Sequence, residues 1–320
     1  IMHIIFLEDI EIKTRILIVL YNKELSKSKT LCTLLENNIH NVDLYIHNNG
    51  PHDITIDDIF LNNFKERNIK YTLNNCIQNK PLSILYNDFI SSSLAYDKFV
   101  ILDDDSTITE SFTRELYENN YDISLPVIIS ASDNLQYYPL ENGYVFNYKG
   151  RLKSISNIWS IGSGIIFTNK VVTLFHRKNM KLFDENYALY GVDISFFRRL
   201  WELEKNNVSF EIRINSTLVH SLSRTDTHQS LFRIKERLID IGITAHQYPS
   251  FRRILSLTKN VVVNILKGNF SIALIGLLCF ISGKHPRITK WNKQTKDFNV
   301  TMTSFQIIKI ESFYIKPFPN

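Results

Sequence analysis

Apolar and polar positions alternate along the first hundred residues in a way that predicts strands and helices in turn. Arg15 to Tyr21 is a short aliphatic and β-branched run stopped by Asn22, the pattern of a buried strand. Ser26 to Leu35 has helix-compatible spacing, and Val42 to His47 predicts a second strand, ended by the turn signal Asn48-Asn49-Gly50-Pro51. Ile69 to Leu73 fits a third strand. Pro81 to Leu94 predicts a helix, with apolar residues at Leu82, Leu85, Phe89, Ile90 and Leu94. Lys98 to Leu102 then runs straight into Asp103-Asp104-Asp105, with a helix expected over Ser106 to Tyr117. Such alternation implies an α/β fold with a mostly parallel sheet and helices on its faces. Ligands of these sheets gather at the carboxyl ends of strands, where Asn22, Asn48 and the aspartates fall.

The rest of the chain is less regular. Pro126 to Ser132 and Trp159 to Thr168 are strand-like, the second interrupted by Gly162-Ser163-Gly164. That interruption fits either a loop letting a sugar approach the backbone or a plain β-bulge. It is no P-loop, because no Gly-Lys-Thr or Gly-Lys-Ser follows. Asp193 to Lys205 predicts a helix, with Asp193 available as its N-cap. From Leu231 onward the pattern turns helical and basic, and no internal repeat is found.

Composition narrows the class. At 320 residues and 44% hydrophobic content the chain can bury a substantial core, which excludes disorder as the main description. Cys32, Cys76 and Cys279 form no CxxC pair, which argues against a structural zinc site or disulfide framework and suits a reducing compartment. The formal charge of +5 is unevenly spread: Ile241 to Lys296 holds nine Lys and Arg and no Asp or Glu. Nine of the 37 bases lie there, so the remainder has 28 against 32 acids, a net −4. An acidic body with a basic end implies that one region alone meets an anionic surface. The opening IMHIIFLEDIEIK is broken by acids and lacks a cleavage site, so no secretory signal is expected. The longest apolar run, Ile272 to Ile281, falls short of the ~20 residues that cross a bilayer. A soluble or surface-bound cytoplasmic protein is the expectation.

Three consecutive carboxylates beside an apolar strand repel one another, and burial raises that cost. A hard divalent cation, magnesium or manganese, relieves both problems. The alternative is a solvated acidic turn in which Asp105 or Ser106 caps the next helix. Two metal chemistries use carboxylates so placed. One is phosphate-ester hydrolysis through an aspartyl nucleophile. Asp103, Asp105 and Thr107 meet the DxDxT pattern of haloacid-dehalogenase-like phosphatases, although that family carries it on the first strand and Gly191-Val192-Asp193 supplies one acid where it has two. The other is nucleotide-sugar chemistry, in which the cation neutralises a departing diphosphate.

The surroundings favour the second. Leu17 to Asn22, Ile46 to Gly50, Asn79 to Asn87, Ile101 to Asp105, Phe183 to Asn186 with Tyr190 to Asp193, and Leu218 to His220 follow one another in an order and spacing that resembles the GT-A glycosyltransferases of family 2, especially the bacterial rhamnosyltransferase-like enzymes of O-antigen or capsule assembly. The resemblance covers roughly Thr14 to Arg224. It implies a Rossmann-like GT-A domain over residues 1–225 and a helical, basic region over 226–320. It further implies that Tyr21, Asn22 and Asn48 hold base and ribose, and that Asn79 and Asn87 line the nucleotide-sugar pocket, unless Asn87 braces its helix. Asp103 and Asp104 would face ribose and sugar, Asp103, Asp105 and His220 would hold the cation, and Asp193 would be the general base. An acceptor hydroxyl attacks poorly until a carboxylate takes its proton, which is the demand on Asp193. Two departures stand out: Asn48 replaces the family's usual acid, and Val192 replaces the common Glu before the base.

At the basic end, Phe251, Ile254, Leu255, Thr258, Val261, Val262, Ile265 and Leu266 fall at helical spacing on one side of a helix that carries Arg252, Arg253, Lys259 and Lys267 elsewhere. Such a helix lies in the headgroup layer of an anionic bilayer or packs on the catalytic domain with its basic side solvated. Nucleic acid is disfavoured, because the bases accompany aliphatic runs rather than aromatics. The reading is a cation-dependent, inverting hexosyltransferase, peripheral at the inner face of the cell membrane, acting between a UDP- or dTDP-sugar and a lipid-linked glycan. A phosphatase or a non-catalytic glycan-binding module is the alternative.

Overall fold

The computed structural model describes residues 12–37, 39–222 and 230–295. The opening segment through residue 11, the expected boundary at residue 225, Lys296 and the segment from residue 298 lie outside the described residues. The chain divides into two compact units, one of Ile1–Glu185 with Gly191–Ser230, the other of Asn186–Tyr190 with Leu231–Asn320.

In the first unit the apolar runs become strands and the spaced stretches helices. Strand β1 (Thr14–Leu20) leads through a 3-10 turn at Leu25–Lys27 into α1 (Lys29–Glu36), capped by Ser28, whose hydroxyl accepts from the Leu31 N–H. There follow β2 (Val42–Asn48), α2 (Asp58–Glu66), β3 (Lys70–Asn75), α3 (Leu82–Ser91) and β4 (Lys98–Asp103). The four strands are parallel in the order β4-β1-β2-β3. Their register sets Leu20 beside Asn48 and Val19 beside Asp103, which brings the polar strand ends to one edge. Helix α2 has no counterpart among the sequence expectations, because only Phe60 and Phe64 mark its buried side.

The expected helix over Ser106 to Tyr117 starts later. Ser106–Ile108 is strand β5, and Thr109 caps α4 (Glu110–Tyr117) by accepting from the Phe112 N–H. The aspartates therefore do not form an N-cap turn. Strands β6 (Ile123–Ser124), β7 (Val127–Ser130), β8 (Gln136–Tyr138), β9 (Leu140–Glu141), β10 (Tyr144–Val145) and β11 (Gly150–Leu152) follow. The strand-like stretch Trp159 to Thr168, interrupted at Gly162-Ser163-Gly164, is two strands, β12 (Ile158–Trp159) and β13 (Ile165–Thr168), which belong to different sheets. Helices α5 (Asn169–Arg177) and α6 (Val192–Lys205) precede β14 (Ile212–Ile214) and β15 (Thr217–His220). Gly191, at φ +82°, is the N-cap of α6, so Asp193 lies inside its first turn.

Among the described residues the main sheet runs β11-β14-β6-β13-β4-β1-β2-β3, with smaller sheets β5-β15-β7-β8 and β10-β9-β12. The fold is mixed α/β, with a parallel-rich central sheet flanked by helices. Ile16, Ile18, Val100 and Leu102 are buried in a core with Leu31, Leu34 and Phe64. Phe99 of β4 instead stacks on Phe167 at 5.5 Å, and Phe167 reaches Phe196 of α6 at 5.7 Å. Burial on both faces accounts for the near-continuous apolar runs of β1 and β4.

The second unit contains α7 (Leu231–Gln247), α8 (Phe251–Leu266) and α9 (Phe270–Ser282) around a small core of Leu238, Ala245, Leu257, Val261, Ile272 and Ala273. A Cβ at Gly242 would collide with the Gly276 carbonyl, so α7 and α9 meet backbone to backbone there. Glu236 and His285 form a buried pair at 3.0 Å. No helix among the described residues is long and apolar enough to cross a membrane.

Candidate active site

The first unit gathers chemistry at the carboxyl ends of β1, β2 and β4. Asn22 takes the left-handed conformation at φ +52°, and its N–H donates to the Gly50 carbonyl at 2.7 Å, tying the end of β1 to the turn after β2. Tyr21 beside it is exposed. Asn48 is buried with its amide engaged: it donates to the His52 carbonyl at 2.6 Å and to Asn75 Oδ1 at 2.7 Å, and its own oxygen accepts from the Gly50 N–H. Asn79, also left-handed, accepts from Asn49 through Oδ1 at 3.3 Å. Asn87 grips another segment: it donates to the Phe183 carbonyl at 2.9 Å and Glu185 Oε1 at 3.0 Å, and accepts from the Phe183 N–H at 3.1 Å.

The acidic trio is divided by its partners. Asp104 forms an ion pair with Lys23 at 2.6 Å. Asp103, the last residue of β4, has its carboxyl raised well above the usual range by burial and by the charges of Asp105, Asp193 and Asp104. Asp105 lies 3.3 Å from His220 Nδ1, and its Oδ1 is buried without a hydrogen-bond partner. Burial raises Asp105 and lowers His220, so their mutual attraction does not offset the loss of water. Asp103, Asp105 and His220 each offer a ligand atom, all within 4.8 Å of one another. Two carboxylates and an imidazole, with one buried oxygen lacking a donor, fit a hard divalent cation.

Asp193 belongs to the same site. Its charge raises both Asp103 and the buried Tyr86 phenol. The Gly162-Ser163-Gly164 loop makes room for it: a Cβ at Gly162 would stand 2.5 Å from Asp193 Oδ1. The close approach inferred from these glycines is thus occupied by the chain's own carboxylate. Asp193 also sits in the first turn of α6, where the helix dipole favours a negative charge.

Two serines that the sequence offers only as a candidate helix cap, Ser106, and as part of the glycine loop, Ser163, connect the parts. Ser106 Oγ lies 2.9 Å from His220 Nδ1 and 2.8 Å from Ser163 Oγ, which accepts from the Asp103 N–H at 3.0 Å. Both are fully buried. This chain links the carboxyl end of β4, the glycine loop and the end of β15 across sequence separations of 57 and 114 residues. The only available sequence signals were the adjacency of Ser106 to the aspartates and of Ser163 to two glycines. Tyr86, inside the Asn79–Asn87 stretch, carried none beyond its apolar spacing.

No protein-family model matches the chain, and no curated protein matches it. Among solved structures, the crystal structure of S. aureus TarS is similar at 10% identity and TM-score 0.49, covering 87% of this chain and 50% of that one. A TarS 1–349 structure gives 11% and 0.49, covering 88% and 92%. GalNAc-T7 with UDP, GalNAc and Mn2+ gives 9% and 0.44, covering 74% and 48%. The chain spans half the length of the first of these.

Proposed function

We propose that the chain is a cation-dependent, inverting glycosyltransferase of GT-A type. The observation that carries this reading is the convergence of Asp103, Asp105 and His220 with Asp193, supplied by β4, the turn after it, β15 and α6, beside the carboxyl ends of the parallel strands β4 and β1. Asp103, Asp105 and His220 would hold the cation, which when bound supplies positive charge against the pyrophosphate of a sugar nucleotide. Tyr21, Asn22 and Asn48 would hold the base and ribose and Asn79 would line the nucleotide-sugar pocket, while Asn87 keeps the Phe183–Glu185 segment in place. Asp104, paired with Lys23, borders the same edge.

Asp193 takes the proton of the acceptor hydroxyl as that oxygen attacks the anomeric carbon. The bond between the anomeric carbon and the phosphate oxygen breaks, the nucleoside diphosphate leaves with that electron pair, and the configuration inverts. The fully buried Ser106 and Ser163 keep His220 and the Asp103 backbone in position. The sequence resemblance supports a hexosyltransferase of family 2 using a UDP- or dTDP-sugar, with residues 1–225 as the catalytic domain. The same resemblance supports a lipid-linked glycan acceptor in O-antigen or capsule assembly at the inner face of the cell membrane.

Asp193→Asn tests the reading. It should lower transfer by 10²-fold or more (about the size of a general-base contribution) while manganese-dependent nucleotide binding persists. Undiminished transfer removes Asp193 as the base. Turnover of a phosphomonoester without acceptor, through a phosphorylated Asp103, would support the phosphatase chemistry instead.

A further inference from the structure

Among its described residues the second unit leaves a large apolar surface exposed. On α8 the buried side is the narrow stripe Leu257, Val261 and Asn264. Phe251, Leu255, Val262 and Leu266 point elsewhere, 84%, 56%, 47% and 81% exposed. At 100° per residue they fall within about 60° of one another, and Lys259, Arg252 and Lys267 follow on the next sector of the wheel. Helix α9 repeats the pattern without any charge. Its core side is Ile272, Ala273, Gly276 and Cys279, while Phe270, Leu274, Leu278 and Ile281 are exposed. The turn Lys267-Gly268-Asn269 joins the two helices, and both exposed rows turn away from the core they share with α7.

Exposed aliphatic rows of this extent mark a binding face. The charge around them identifies the occupant: between Ile241 and Thr295 there is no acidic residue, and Lys284, Lys290 and Lys293 are exposed just beyond α9. We propose that α8 and α9 dock the protein on a bilayer carrying anionic lipid, lying in the plane of the headgroups with their aliphatic rows among the upper acyl carbons. Helices of 16 and 13 residues reach about 24 and 20 Å, short of the ~30 Å hydrocarbon core, so they lie on the membrane and do not span it. The inference rests on the second unit alone and holds whether or not the first unit transfers sugar.

The test is flotation of the full chain with vesicles of phosphatidylcholine alone and of equal parts phosphatidylcholine and phosphatidylglycerol. Binding to the anionic vesicles that weakens with salt is expected. Leu274→Asp and Leu278→Asp, at 58% and 53% exposed positions, should each weaken partition about tenfold with unchanged thermal unfolding. Arg252→Glu with Lys259→Glu should weaken it by more than about tenfold on anionic vesicles only. Equal binding to both vesicles, or none to either, overturns the proposal. So does a concentration-dependent dimer in sedimentation that Leu278→Asp dissociates, since a second copy would then be the occupant. Nucleotide binding, read on the same samples without lipid, reports on the transferase reading separately.

Discussion

Replacing Gly162 by alanine isolates the positioning of Asp193 from its chemistry. The added Cβ would stand 2.5 Å from Oδ1 and 3.1 Å from Cγ of Asp193. Non-bonded carbon and oxygen settle no closer than about 3.3 Å, so the carboxylate must retreat by about 0.8 Å. A shift of about 1 Å in a reacting group costs on the order of 100-fold in rate. Gly162 is not in the left-handed region, so alanine brings no backbone strain. The expected result is a kcat lower by on the order of 100-fold, a donor KM close to that of the parent protein, and an unchanged thermal midpoint with and without manganese. Steady-state transfer kinetics with a defined acceptor and a thermal-shift titration supply all three. A variant that transfers at the parental rate would refute the assignment of Asp193 as base in this geometry. Gly164→Ala is the contrasting control: at φ +92°, with a Cβ 2.6 Å from Pro126 Cγ, it should cost stability before it costs rate.

Other consequences follow from single contacts. Ser106→Ala removes the hydroxyl at His220 Nδ1 and should weaken manganese binding by about tenfold or more, measured calorimetrically; unaltered affinity would show that the serine does not orient the ring. His47 is buried, accepts from the Asn74 amide through Nδ1, and is held down at about 4 by burial and by the charge of Lys80. The unfolded chain therefore takes up a proton that the folded chain refuses as pH falls from 6.5 toward about 4. Stability contributed by this group is present above that window and shrinks within it, by roughly 3 kcal/mol. An imidazole resonance of His47 that titrates near 6.5 would contradict this.

Much of the architecture is legible in the sequence. Strands buried on both faces must be apolar on both, so β1 and β4 stand out as aliphatic runs while β2 shows as an alternation of Val42, Leu44 and Ile46 with polar residues, and the polar ends of all three mark the edge where ligands bind. The aspartates after Leu102 were conspicuous because clustered carboxylates beside a core are costly without a cation. Other features depended on distances that no local pattern encodes. That Trp159 and Ile165 serve different sheets follows from strand order, not from the hydrophobicity they share. That Ser106 continues as an edge strand while Thr109 caps the helix was decided by pairing with β15, against a helical spacing that fitted equally well. The contact of Gly162 with Asp193, the serine chain to His220 and the grip of Asn87 on Phe183 join residues 31 to 114 positions apart. Periodicity reports which side of an element is buried, but only packing chooses what lies against it. On α8 and α9 the same rule works in reverse: their apolar content is plain in the sequence, and the tertiary structure decides that more than half of it faces outward.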